Sequence, residues 1–153
     1  MTYVRRVMQP GETLVHTTRL HPVIFFPAAA WAALAVVLLA AGIAYDGDLR
    51  TVLAILAGIA ALWAAKSAAV AGLRRFMTEL AVTDRRVIYK TGLIARHTLE
   101  MNRGKVESVD VEQSVWGRIL GFGTIIVRGT GGSLEPIRLI DDPLTFRSHI
   151  TAG

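Results

Sequence analysis

Uncharged side chains run without interruption from residue 23 to residue 45, in the sequence VIFFPAAAWAALAVVLLAAGIAY. A helix of this length is about 34 Å long, which exceeds the roughly 30 Å hydrocarbon core of a bilayer. A surface helix of a soluble protein would present a polar face to water, and this stretch has none. The pattern predicts a first membrane-spanning helix over residues 23–45, with Pro27 in its first turn, where the missing N–H is not needed.

A second apolar run follows after a short polar turn, predicted over residues 46–50 on the external side. It covers residues 51–73 and contains one charged side chain, Lys66. The aliphatic part of a lysine can lie along the helix while its amino group reaches the headgroups, so the run is long enough to span. The short turn predicts an antiparallel hairpin of two transmembrane helices.

Small residues repeat at a spacing of four in the second run, at Ala57, Ala61 and Ala65, with Gly58 beside them. Small side chains at this spacing allow two membrane helices to approach closely. We interpret this face as a contact with the first helix. An alanine-rich helix also produces such matches by chance, and that alternative stays open.

Basic residues lie almost entirely on one side of the hairpin. They are Arg5, Arg6, Arg19, Lys66, Arg74 and Arg75, against Arg50 beside two aspartates on the other side. The positive-inside rule therefore predicts that both termini are cytoplasmic. Residues 1–22 are predicted to be a polar cytoplasmic segment, and a cleaved signal peptide fits less well because the apolar run exceeds about 15 residues.

Short strand patterns replace the helical pattern from residue 76 onward. Residues 79–83, 86–91 and 93–101 are rich in Val, Ile, Leu and Thr, and turn residues separate them. In residues 108–114, Val109 and Val111 alternate with acidic residues, which predicts a half-buried strand with either a bulge or the start of the strand near Glu107. Further strands are predicted over residues 123–129 and 134–140.

Two short helices complete the predicted domain over residues 76–153. Ser114 caps a helical turn whose apolar residues, Val115, Trp116, Ile119 and Leu120, are expected to point inward. Asp142 and Pro143 open a C-terminal helix, with Phe146 and Ile150 on one face. The predicted fold is a two-helix transmembrane hairpin followed by a mainly β domain of six strands and a closing C-terminal α-helix.

The net charge of +5 does not indicate a nucleic-acid partner. Residues 76–153 carry ten basic and nine acidic side chains, whereas residues 1–75 carry seven and three. The basic excess thus flanks the apolar runs, which suits a membrane surface better than a nucleic acid.

No pattern of catalytic or ligand-binding residues stands out. The chain has no cysteine, and its four histidines (His16, His21, His97 and His149) lack metal-ligand spacing. The glycines of residues 121–132 fit neither a dinucleotide fingerprint nor a phosphate loop, and they suit turns instead. We therefore predict no catalytic residue, no metal and no cofactor, and a protein that is not an enzyme.

Six basic residues remain as candidate contacts with lipid headgroups: Lys66, Arg74, Arg75, Arg85, Arg86 and Lys90. Each basic side chain near an anionic leaflet contributes about 1 kcal/mol. Arg74 and Arg75 are explained equally well as topology signals at the end of the second span.

Three stretches resemble the second family of bacterial pleckstrin-homology-like membrane proteins. They are PGETLVH, LAVTDRRVIYKTGLIARHTLEMN and KVESVDVEQSVWGRILGFGTIIVRGTGG. The resemblance implies a PH-like split barrel of seven strands closed by a C-terminal helix, one strand more than the pattern gives. It implies no catalytic residues and no phosphoinositide site of the kind found in eukaryotic PH domains.

Together these features predict a non-enzymatic, membrane-anchored PH-like module for protein interaction or scaffolding in a bacterial inner-membrane complex. Its expected partners are the lipid bilayer and an unidentified membrane or cytoplasmic protein, while homo-oligomer formation stays open. Two alternatives remain: a module that binds anionic lipid headgroups, and an accessory subunit of a membrane enzyme or transporter.

Overall fold

The computed structural model describes residues 3–92, 97–130, 132–133 and 136–152; for Tyr3, Arg5 and Ser133 it describes the backbone alone. The chain divides into two compact units. The helical unit is Pro22–Leu73, and the β unit combines residues 3–21 with residues 74–152.

The helical unit contains two long helices. A 3₁₀ turn over Pro22–Phe25 leads into α2 (Phe26–Ile43), and Pro27 lies in the first turn of α2, as predicted. Helix α3 runs over Asp48–Met77 and is longer at both ends than the predicted span. Asp48 in its first turn and Arg74 and Arg75 in its last turn complement the helix dipole. Both helices are long and apolar enough to cross a membrane, and only 11% and 17% of their most apolar stretches are buried.

The buried residues of α2, Ala28, Ala35 and Gly42, follow a spacing of seven. On α3 the buried residues are Ala57, Ala60 and Ala71, of which Ala57 and Ala71 are two such repeats apart. The prediction for Ala61, Ala65 and Gly58 is wrong, because these three residues are exposed. A repeat of 3.5 residues keeps one seam on the partner helix, whereas a strict spacing of four rotates away from it.

Two antiparallel sheets form the β unit. In the first sheet the order is β1 (Leu14–Thr18), β2 (Glu79–Thr83), β3 (Arg86–Thr91) and β4 (His97–Asn102). In the second, β6 (Phe122–Gly129) pairs with β5 (Val106–Glu112) on one side and with β7 (Gly132–Ser133) and β8 (Ile137–Asp141) on the other. The shorter helices are α1 (Tyr3–Val7), α4 (Val115–Leu120) and α5 (Pro143–Thr151).

Most strand predictions agree with the structure. Strands β2 and β3 have the predicted bounds, and of the two alternatives near Glu107 the register shift between Val106 and Ser108 favours the bulge. Among the described residues seven strands follow the helices, not six, and the additional one is the short β7. The predicted strand segments at residues 93–96 and 134–135 lie outside the described residues.

The N-terminal segment is part of the β unit. The sequence analysis treats residues 1–22 as a separate segment and does not assign them to the folded domain. Strand β1 pairs with β2, with Leu14 opposite Thr83 and Thr18 opposite Leu80. The two apolar helices are therefore inserted in the chain between neighbouring strands of one sheet. Just beyond β1, Leu20 forms a bridge with Ile140 of β8, so this segment also connects the two sheets.

The hydrophobic core lies between the two sheets and under α5. Its buried members are Leu80, Val82, Val87, Val109, Ile125, Val127, Ile137, Ile140, Phe146 and Ile150. Phe146 and Ile150 are buried as predicted, and the carboxylate of Asp142 caps α5 by accepting a hydrogen bond from the N–H of Thr145. A second cluster covers the outer face of the first sheet, where Val4 and Met8 pack against Ala81 and Ile88.

Helix α4 corrects the predicted orientation of its apolar residues. Val115, Trp116, Ile119 and Leu120 were expected inside, but they are 72%, 70%, 68% and 49% exposed. The buried residue of α4 is Gly117. A Cβ atom at this position would lie 2.6 Å from the carbonyl oxygen of Phe122, so the helix packs through its backbone here and turns its side chains outward.

Candidate functional site

The turn between β2 and β3 carries Arg85 and Arg86, two of the candidate lipid contacts. Thr83 organises the turn, because its Oγ1 accepts hydrogen bonds from the backbone N–H of Arg86 at 2.9 Å and of Arg85 at 3.3 Å. The N-terminal segment fixes the turn from outside, since Asp84 Oδ1 accepts a hydrogen bond from the N–H of Thr13 at 3.0 Å. The two arginines are therefore held on a rigid hairpin.

Arg86 is committed to internal acceptors. Its Nε donates to Glu12 Oε1 at 2.9 Å, and its Nη2 donates to Glu12 Oε2 at 2.7 Å and to the carbonyl oxygen of Val7 at 2.9 Å. Its Nη1 donates to Glu100 Oε2 at 2.6 Å. The guanidinium thus joins the N-terminal segment to β3 and β4, with 15% of the Arg86 side chain exposed and none of the Glu12 side chain.

Glu12 and Arg86 stabilise each other's charged forms. Hydrogen bonds from Arg86 lower the pKa of Glu12 from 4.5 to about 2; burial opposes this shift, and bonds from Gln9 and Thr83 assist it. The pKa of Arg86 is raised, chiefly by its hydrogen bonds to Glu12. A pair of this kind fixes local structure, because both ions are largely removed from water and are held by several hydrogen bonds.

Arg85 and Lys90 lie at opposite ends of β3. Arg85 is exposed in the turn, and Lys90 is half-buried at the position opposite Glu79, the first residue of β2. Five residues of extended strand separate them by about 17 Å. We call the end that contains residues 18–21 and 74–80 the junction end, because the chain leaves β1 for the helices there and returns there into β2. Lys90 is at the junction end, and Arg85 is at the far end.

The remaining candidates belong to α3. Arg74 is exposed and Arg75 is half-buried in its last turn, at the junction end. Lys66 lies within α3, with its Nζ 4.4 Å from the ring centroid of Trp63. The six predicted residues therefore do not form one basic patch. Arg74, Arg75 and Lys90 share the junction end, Arg85 is at the far end with Arg86 in its internal network, and Lys66 is in the helical unit.

Two of the histidines that the sequence shows as scattered are stacked in the structure. His16 on β1 and His149 on α5 have ring centroids 4.4 Å apart and planes inclined by 6°. Burial lowers the pKa of His16, and the charge of His149 lowers it further. Among the described residues, no group of three or more His, Cys, Asp or Glu side chains could hold a metal ion.

Comparison with known protein families gives a decisive match. The family model described as the bacterial PH domain matches residues 23–152, which is most of the chain. This chain belongs to the bacterial PH domain family. Strand β1 precedes the matched residues, although it completes the first sheet of the β unit. Comparison with curated protein sequences gave no match.

Sequence reasoning missed the acidic partners of Arg86. Glu12 follows a Pro-Gly turn at the start of PGETLVH, and Glu100 lies opposite Ile88 in the pairing of β3 with β4. Neither carboxylate gave a usable signal, because Glu12 lies in the turn before β1 and Glu100 is exposed on β4. Their pairing with Arg86 is visible only in the fold.

Proposed function

We propose that this bacterial PH domain protein is a non-enzymatic binding and scaffolding module of the inner membrane. In this proposal α2 and α3 span the bilayer as a hairpin, and the β unit is presented on the cytoplasmic side to an unidentified membrane or cytoplasmic protein. Nucleic acid is not a partner in this account, and self-association of the module is compatible with it.

The pairing of β1 with β2 carries the proposal. These strands precede and follow the two apolar helices, yet they are hydrogen-bonded neighbours in one sheet. If the helices cross a membrane, both flanking segments must lie on the same side of it, because a sheet cannot form across a bilayer. The excess of arginine on these flanks favours the cytoplasmic side.

The chemistry of the β unit supports binding over catalysis. Its charged network joins buried Glu12 and half-buried Arg86 to exposed Glu100 through internal hydrogen bonds, and it ties three chain segments together. A general acid or base needs a proton affinity matched to its task, whereas Glu12 is held ionised far below neutral pH. The network therefore suits a rigid scaffold.

Cross-linking in native membranes tests the scaffolding function. The tagged full chain would be cross-linked, purified in detergent and analysed for proteins that co-purify, beside the Arg86→Ala variant. This variant keeps both apolar helices and weakens only the β unit, so it is the matched control. We expect a defined set of partners with the wild type and its loss with the variant. Recovery of the same proteins from both would refute the proposal.

A second candidate function is the binding of anionic lipid headgroups, and the cations at the junction end favour it. Arg74, Arg75 and Lys90 share that end, and each would gain about 1 kcal/mol near an anionic leaflet. The thermal stability of the full chain should then be higher in anionic than in zwitterionic nanodiscs. Arg74→Gln with Arg75→Gln should reduce this difference, while Arg85→Gln at the far end should not. An equal effect of both changes, or of neither, contradicts this function.

A further inference from the structure

Helix α4 presents a compact apolar surface to solvent. We define the α4 surface as Val115, Trp116, Ile119 and Leu120, which are all exposed. Soluble proteins rarely leave large apolar side chains grouped in this way unless the group contacts a partner or a membrane. The family match and the proposed scaffold assign no role to this surface.

The α4 surface is held in place rigidly. Ser114 caps the helix, with its Oγ accepting a hydrogen bond from the N–H of Gly117 at 3.0 Å. Gly121 ends the helix in the left-handed region, at a φ of 79°, which glycine adopts without strain. Gln113 Nε2 donates to the carbonyl oxygen of Phe122 at 3.1 Å and closes the loop. The apolar side chains are thus fixed outward before any ligand arrives.

Contacts of the β unit place α4 at the junction end. The ring of Phe122, two residues after α4, is 5.4 Å from the ring of His21. The N–H of His21 donates to the carbonyl oxygen of Leu139 at 2.7 Å, and the N–H of Asp142 donates to that of Gly121 at 2.9 Å. His21 is the last residue of the β unit before the chain enters the apolar helices at Pro22.

We propose that the α4 surface inserts into the headgroup and upper acyl region of the same bilayer that α2 and α3 cross. The position beside His21 supports this, because the membrane-spanning segment would begin at the next residue. Its composition also fits: residues 114–122 contain no acidic side chain, and exposed Arg118 could reach phosphates while Trp116 lies at the interface. The inference rests on the proposed membrane anchoring.

The absence of cysteine allows a direct depth measurement on the full chain. Three single-cysteine variants, Ile119→Cys, Val36→Cys and Thr130→Cys, would be spin-labelled and reconstituted into vesicles of phosphatidylethanolamine and phosphatidylglycerol. Val36 is an exposed residue of α2. Thr130 is exposed at the opposite end of β6 from Phe122, about 26 Å away along the strand, and is the matched control. Power saturation would compare collisions with oxygen, which concentrates in lipid, and with a polar nickel chelate.

We expect the label at position 119 to show a severalfold higher oxygen-to-nickel collision ratio than the label at position 130. The label at position 36 should show the highest ratio. If position 36 is in hydrocarbon but position 119 matches position 130, the α4 inference is wrong and the membrane anchoring stands. If position 36 is also aqueous, both are wrong. Protection of position 119 in native membranes but not in pure lipid vesicles would assign the surface to a protein partner and overturn the inference.

Discussion

Replacement of Arg86 by alanine tests the structural role that the fold gives this residue. The change removes two hydrogen bonds to Glu12, one to Glu100 and one to the carbonyl oxygen of Val7. Glu12 would then be left fully buried, with only the hydroxyl of Thr83 and the N–H of Gln9 as donors. The substitution therefore creates a buried charge without a cation.

Two arguments give a similar magnitude for the loss. Removal of one partner from a buried ion pair costs about 3–5 kcal/mol, because the other charge remains desolvated. The fall in the pKa of Glu12 from 4.5 to about 2 corresponds to about 3 kcal/mol of stabilisation of its ionised form. We expect Arg86→Ala to lower the unfolding free energy of the β unit by about 3–4 kcal/mol.

The neighbouring Arg85 provides a matched control, because it is exposed and its replacement by alanine should change stability by less than about 0.5 kcal/mol. The assay uses Val127→Cys, which places a single thiol in the core of the otherwise cysteine-free chain. In detergent micelles the rate of thiol modification reports the opening of the β unit. Arg86→Ala should increase this rate by at least about 100-fold, at 1.4 kcal/mol per factor of ten, and Arg85→Ala by about twofold at most. Similar rates for the two variants would show that Arg86 does not stabilise the β unit through Glu12.

Two further predictions concern the β unit. Because folding lowers the pKa of Glu12, ionised Glu12 stabilises the fold fully above about pH 4.5, and this stabilisation is lost as the pH falls towards 2. The urea midpoint of the wild type should therefore fall over this pH range by more than the urea midpoint of Glu12→Gln. Parallel curves for the two proteins would contradict this prediction. Gly117→Ala should lower the unfolding free energy by about 1–3 kcal/mol, because the added Cβ would lie 2.6 Å from the carbonyl oxygen of Phe122. The control is Gly104→Ala, where the nearest atom to the added Cβ is 3.5 Å away, and it should change the unfolding free energy by less than about 0.5 kcal/mol in the same urea titration. Equal effects of the two changes would argue against close packing at Gly117.

Local signals allowed much of the fold to be predicted. Strands β2 and β3 are short runs of mainly apolar residues bounded by turn residues, and α5 begins with an Asp-Pro cap, so their positions follow from neighbouring residues. Strand β1 could not be found in this way. Its five residues alternate weakly, and its pairing of Leu14 with Thr83 spans the whole helical insert. Strand β1 is therefore stabilised by pairing with residues far away in the sequence, which a local pattern does not show.

The candidate site was predictable as a set of residue types but not as an arrangement. Arg85 and Arg86 are adjacent and chemically identical. Only the structure shows that Arg86 pairs with Glu12 and Glu100, whereas Arg85 is an exposed cation. In α4 the apolar pattern identified the residues that share a face. A pattern does not specify which face is covered, and the close approach of Gly117 to Phe122 decided it.

In the proposed arrangement the two apolar helices form a membrane hairpin between paired strands, with both flanks in the cytoplasm. Single-cysteine variants Val15→Cys, Asp46→Cys and Thr130→Cys sample β1, the turn between the helices, and the loop after β6. A membrane-impermeant maleimide would be applied to cells with a permeabilised outer membrane, and then to lysed cells. We predict that position 46 reacts before lysis and that positions 15 and 130 react only after it. Reaction of position 15 and position 130 on different sides, or of all three before lysis, would contradict the account.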